Sequence, residues 1–240
     1  MATFAAHYIV YVYIMNRLPA ITKNLLIINV LFWMATLALQ KYGIDLHKLL
    51  GLHFFLSPGF GIWQLVTYMF LHEGFQHLFL NMFAVWMFGR IMEVQWGSRR
   101  FLIFYLLCGI GAGLTQELCQ LVHFELLISG IDADHMYLVD YVLKHMPLTV
   151  GASGAVYGIL LGYGMTFPDN QLFIIPIPFP IKAKWLVIGY VAIELGLGIR
   201  SNAADNVAHF AHLGGMLTGF IMILYWRHKE RKDNHIKFTW

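Results

Sequence analysis

Residues Leu148–Gly164 read LTVGASGAVYGILLGYG, a stretch with no charge and with small residues at Gly151, Ser153, Gly154, Gly158, Gly162 and Gly164. A run this apolar fits the interior of a bilayer, and small residues let membrane helices approach one another closely. A serine set between glycines at the start of such a run admits a second reading, that of a nucleophile. The remainder of the chain decides between them.

Of the 240 residues, 59% are hydrophobic and 12% charged, and mean hydropathy is +0.63. An average soluble domain is about a quarter charged, so the chain reads as an all-α protein that crosses the membrane several times. A formal net charge of +3 gives no argument for nucleic acid as a partner. The first residues are apolar only as far as Met15, before Asn16, Arg17 and Pro19. No basic segment precedes them and no small-residue cleavage site follows, so they read as an interfacial helix and not a signal peptide. Cys108 and Cys119 are eleven positions apart, about 16 Å along one helix. That is too far for a disulfide, and both read as small apolar residues in a membrane helix.

Six windows with almost no charge predict six spans: Asn24–Gln40, Gly74–Gly89, Phe101–Gln116 extending past Glu117 toward Phe124, His145–Pro168, Trp185–Ile199 interrupted by Glu194, and Asn206–Trp226. Each reaches the ~17–25 residues a span needs, alone or with its flanks. Leu49–His72 is equally uncharged, but Pro58, Gly59 and Gly61 in LSPGFGIWQ break a helix there. It reads as a large first loop, partly embedded. Basic residues favour the side holding Arg17, Lys23, Arg99, Arg100, Lys182, Lys184 and the tail RHKERKDNHIK, which places both termini in the cytoplasm. The setting is read as a bacterial plasma membrane. IPIPFPIK (Ile175–Lys182) reads as a stiff extended cytoplasmic link.

With this topology, three helices bring polar residues to one depth near the outer face. His77 and Asn81 share a face of span two at i,i+4, Ser153 lies in the first turn or so of span four with Tyr157 one turn on, and His212 lies about two turns into span six. Intramembrane polar groups are costly and point to function. Two small-residue ridges, Gly154/Gly158/Gly162 and Gly215/Gly219, would pack span four on span six and bring Ser153 to His212. Serine needs a base to take its proton, and histidine is the usual one. The free N–H groups at the start of span four, with Asn81 and His77, suit an oxyanion.

Taken together, GASG followed by Tyr157, HLFLN (His77–Asn81) and AHLGGMLTG (Ala211–Gly219) resemble the motifs of the rhomboid intramembrane serine proteases. The likeness covers roughly Asn24 to Trp226. It implies a six-helix bundle with a large partly embedded first loop. It makes Ser153 of the Gly151–Gly154 motif the nucleophile and His212, of the motif containing Gly215, the general base. His77 and Asn81 line the oxyanion hole, and Tyr157 packs beneath the histidine. It further implies cleavage of transmembrane protein substrates in or beside their membrane segments, with the lipid bilayer as the medium and no cofactor or metal. The corresponding domains are residues 1–23 (N-terminal segment), 24–227 (protease domain) and 228–240 (basic tail).

Two departures stand out. Trp63 is followed by Gln64 where the family often has arginine. Gly89–Arg90 precedes Glu93 where two glycines are usual. No acidic residue is placed to orient His212, which implies a Ser–His dyad, and Glu194 reads as an interfacial or structural acid. His72 and His209 read as structural neighbours. Two rivals are an inactive rhomboid-like protein that binds membrane proteins, and a transporter with a metal held by His72, His77, His209 and His212.

Overall fold

The computed structural model describes residues 18–173, 178–200 and 203–237. The segment read as an interfacial helix lies outside them, as do residues 174–177 of the proline link. The described residues are all-α apart from one two-residue strand pair. In order, the helices are α1 (Ala20–Gln40), α2 (Leu46–Leu50), α3 (Gln64–Thr67), α4 (Phe75–Ala84) running through a wider turn at Val85–Gly89 into α5 (Arg90–Trp96), α6 (Ser98–Ile128), α7 (Tyr137–Lys144), α8 (Ser153–Thr166), α9 (Ala183–Arg200) and α10 (Ala203–Lys237).

Each uncharged window contains a helix. Three helices are long and apolar enough to cross a membrane by length and composition: Ala20–Gln40, Ser98–Ile128 and Ala208–Asp233. Four polar residues within them bond back onto their own helix. Asn29 donates to the Leu25 carbonyl, Thr36 to Phe32, Thr115 to Gly111 and Thr218 to Gly214. Such back-bonding satisfies a hydroxyl or amide that lipid cannot solvate. Leu49–His72 forms no long helix. Its buried side chains Leu52, Tyr68 and Met69 join Met82, Val85 and Phe88 and, from α8, Ala155, Ile159 and Tyr163 in the main core.

The length of α8 explains that loop's task. Fourteen residues rise about 21 Å, short of the ~30 Å hydrocarbon layer. The chain enters α8 as irregular backbone, whose polar groups need partners at membrane depth. Thr149 and Leu52 exchange backbone hydrogen bonds, Gly151 N–H donates to the Tyr68 carbonyl, and Gln120 Nε2 donates to the Pro147 carbonyl. Gln64, in the place of the family's arginine, holds the loop itself. Its Oε1 accepts from the N–H groups of His53 and Gly61, and its Nε2 donates to the Gly59 carbonyl.

Glu93 ties α1 to the end of α5. Its carboxylate accepts from Ile21 N, Thr22 N, Thr22 Oγ1 and Ser98 Oγ, so it caps the open N-terminus of α1. Across the proline link, Gln171–Leu172 before it pairs antiparallel with Ile181–Lys182 at its end. The flanks of that link therefore close into a short hairpin, and Asp169 accepts from both Lys182 and Lys184.

Helix α10 packs chiefly on α6 and α8, and α9 packs on α10. The two glycine ridges act differently from the expectation. Gly215 does press on the Gly154 carbonyl, with no room for a side chain between them. Gly154 and Gly158, however, face Ala112 and Cys108 of α6, and Gly162 faces Trp96 and Phe104. One ridge of α8 thus serves α6 as much as α10, because α8 sits centrally and must lie close to both. Cys108 and Cys119 are both free.

Candidate active site

Ser153 is the first residue of α8, and His212 lies on α10. Close contact at Gly154 and Gly215 sets these helices so that His212 Nε2 is 2.8 Å from Ser153 Oγ. For Nε2 to accept the serine proton, the ring's own proton must sit on Nδ1. Tyr157 lies one turn below Ser153 and stacks flat on His212, with ring centroids 4.2 Å apart and planes 12° apart.

The expectation that no acid approaches His212 is overturned. Glu194 of α9 is buried, and its Oε2 lies 3.2 Å from His212 Nδ1 and 2.6 Å from His209 Nδ1. Its Oε1 accepts the Tyr157 hydroxyl. Of the two readings of Glu194 the structural one fits: it accepts from the Tyr157 hydroxyl, is hydrogen-bonded to His209 and faces His212 Nδ1. A buried carboxylate requires such partners, since desolvation otherwise disfavours its charge. Only His209 completes a hydrogen bond to Oε2. His212 Nδ1 is enclosed and lacks a hydrogen-bond partner despite its proximity.

His77 and Asn81 lie on α4, across from the start of α8. Gly151 has φ +127°, a backbone conformation open to glycine. A methyl group there would sit 2.8 Å from His77 Nε2 and 3.8 Å from Ser153 Oγ. The His77 ring thus reaches the serine's side of the helix entrance across a backbone that cannot carry a side chain. Asn81 is buried, and its Nδ2 has no hydrogen-bond partner. An enclosed donor without an acceptor is costly. The first turn of α8 adds unbonded backbone N–H groups.

His72 is buried against His77, ring centroids 5.0 Å apart at 73°. Burial, and then the neighbouring His77, push the His72 ring down to about 3. The four-histidine metal set is not what assembles. Among the described residues, the group whose ligating atoms come within 4.8 Å of one another is Glu194, His209 and His212.

The model of the Rhomboid domain matches residues 59–229. RHOMBOID-like protein 6, mitochondrial, of Arabidopsis thaliana is 31% identical over 160 residues, covering 67% of this chain and 42% of that protein. RHOMBOID-like protein 4 of the same plant is 30% identical over 197 residues, 81% of this chain and 40% of that protein. Rhomboid protease GluP of Bacillus subtilis (strain 168) is 30% identical over 160 residues, 66% of this chain and 25% of that protein. The chain spans less than half the length of these relatives.

Proposed function

The chain belongs to the rhomboid family, and from that premise we propose that it is an intramembrane serine protease that hydrolyses peptide bonds in or next to transmembrane segments of other membrane proteins. The observation that carries this reading is the 2.8 Å contact between His212 Nε2 and Ser153 Oγ. Ser153 Oγ attacks the substrate carbonyl carbon while His212 Nε2 takes its proton. The carbonyl oxygen becomes an oxyanion, held by Asn81 Nδ2, His77 and the free N–H groups of the first turn of α8. When the C–N bond breaks, His212 returns the proton to the leaving amine. Water then hydrolyses the acyl-enzyme with His212 again as base.

In this reading Glu194 is a positioning residue and the dyad is extended. As His212 gains positive charge, its Nδ1–H turns toward Glu194 Oε2, and the weak contact of the resting state becomes a charge-assisted hydrogen bond. Tyr157 supports both partners, through its ring and its hydroxyl. The protease unit is assigned to residues 24–227, with six spans and both termini in the cytoplasm, flanked by 1–23 and 228–240. The support is one helix per uncharged window together with the basic bias of one side. The proposal extends to that orientation and to a bacterial plasma membrane as the setting.

A fluorophosphonate probe tests it. The probe should label the purified chain in detergent at Ser153, mapped by peptide mass spectrometry. Ser153→Ala and His212→Ala should abolish both labelling and cleavage of a model transmembrane substrate while the chain still folds. Cleavage retained by either variant would overturn the assignment.

A further inference from the structure

One carboxylate oxygen of Glu194 faces two imidazole nitrogens and satisfies one. Oε2 lies 2.6 Å from His209 Nδ1 and 3.2 Å from His212 Nδ1, and the latter nitrogen is enclosed without a hydrogen-bond partner. His209 and His212 are i,i+3 on α10, on one face of the helix, and Glu194 comes from the neighbouring α9. Two imidazoles and a carboxylate are the ligand set of many three-ligand zinc sites. In a tetrahedral shell with metal–ligand lengths of about 2.0–2.2 Å, ligand atoms stand about 3.3–3.6 Å apart. The His212 contact is already near that spacing, and the His209 contact would open by under about 1 Å. Tyr157 donates to the other carboxylate oxygen and so fixes the carboxylate from behind, the outer-shell arrangement of ordinary metal ligands. The side chains of His209 and His212 are 21% and 19% exposed while that of Glu194 is 5% exposed. Glu194 is thus the member backed by protein, and the two imidazoles are the partly exposed ones.

We propose that Glu194, His209 and His212 form an inhibitory site for a zinc-class divalent cation, which regulates the serine chemistry by occupying the far nitrogen of the base. The regulatory part rests on the reading of His212 as the general base. A metal on His212 Nδ1 moves the proton of the neutral ring to Nε2, with no change in proton count. Nε2 then donates to Ser153 Oγ and no longer accepts from it, so the serine keeps its proton. Water or another small ligand fills the fourth position.

The full chain in detergent, freed of metal by chelator, is titrated calorimetrically with zinc chloride. Wild type and Ser153→Ala should each show one tight site. Loss of an outer-shell partner costs about 10–100-fold in metal affinity, and loss of a ligand should cost at least as much, so His209→Ala and Glu194→Gln should weaken zinc by about tenfold or more. Cobalt(II) in wild type should give the visible absorption of a tetrahedral site and lose it in His209→Ala, a readout that stands if Glu194→Gln does not fold. Zinc at saturation should stop fluorophosphonate labelling of Ser153, and chelator should restore it. Zinc affinity unchanged in His209→Ala would overturn the site. Tight binding at these residues with labelling unaffected would overturn the inhibition. If wild type takes no probe even without metal, the protease reading fails, and with it the inhibition, while the titration still decides the metal site.

Discussion

Tyr157 lies flat against the ring of His212, centroids 4.2 Å apart, and donates a hydrogen bond from its hydroxyl to Glu194, the acid facing the far nitrogen of that same ring. One side chain thereby holds both the proposed base and its counter-charge. Tyr157→Phe keeps the stack and deletes the hydrogen bond. A hydrogen bond to a charged group is worth about 1.5–3 kcal/mol, though Glu194 retains His209 as a donor. The expected result is a fall in kcat of about tenfold, nearer the lower bound, with KM unchanged. Tyr157→Ala should lose more, because the histidine ring also loses its platform. Steady-state cleavage of a model transmembrane substrate in detergent measures both.

Glu194→Gln separates charge from shape. In a serine protease with a fully bonded aspartate, the equivalent amide lowers kcat about 10⁴-fold. Here the resting contact to His212 falls short of a hydrogen bond, so less of the catalysis depends on it. The expected loss is about 10–100-fold in kcat with substrate KM retained, and Glu194→Asp should recover part of it. An unchanged kcat in Glu194→Gln would return the mechanism to a dyad of Ser153 and His212.

The helices were legible because charge-free runs between Lys, Arg, Asp and Glu mark them directly. Ser153, His212, His77 and Asn81 were legible because a polar residue in an apolar helix carries a cost and so stands out. Glu194 stood out equally, but its partner did not follow from its own helix. The signal lay in the turn after it. Glu194 is six residues before the end of α9 at Arg200, and His209 is six after the start of α10 at Ala203. Antiparallel helices joined by a short link bring such positions side by side, and counting outward from the link would have paired them. The strand pair at Gln171–Leu172 and Ile181–Lys182 was hidden because three prolines suppress every local strand signal between them. The division of Gly154, Gly158 and Gly162 between two neighbours was also hidden, since a ridge of glycines shows close approach and not to whom.

His72 makes acid sensitivity measurable. Its ring has an ordinary value of 6.5 and is held at about 3 in the folded protein by burial and then by His77. The folded state therefore keeps it neutral, while the unfolded chain takes up a proton below pH 6.5. Stability contributed by this group is full above pH 6.5 and declines as pH falls from there toward 3. By pH 5 the decline is about 2 kcal/mol. His72→Phe removes the titrating group and keeps an aromatic ring against His77. The drop in unfolding temperature between pH 7.5 and pH 5.0 should be smaller in the variant than in wild type, as read by thermal unfolding in detergent at both pH values. An equal drop would place the acid sensitivity elsewhere.

Asn81 offers the clearest separation of stability from rate. Its Nδ2 is buried and unpartnered in the resting protein, so the folded state bears the cost of a donor without an acceptor, about 1–3 kcal/mol. Asn81→Ala abolishes that cost while opening a small cavity, and the two effects oppose each other. The unfolding temperature should therefore move little. The reaction behaves differently. The oxyanion exists only once Ser153 has attacked, so a donor aimed at it stabilises the transition state and not the bound substrate. Loss of one such donor typically costs about 10²–10³ in rate, and here His77 and the free N–H groups of the first turn of α8 remain to share the charge. The expected outcome is a kcat lowered toward the smaller of those figures, a KM close to wild type, and a double variant with His77→Ala slower than either single one. Single-turnover cleavage alongside thermal unfolding checks all three. A large loss of stability with kcat intact would make Asn81 a packing residue and leave the oxyanion to the α8 backbone and His77.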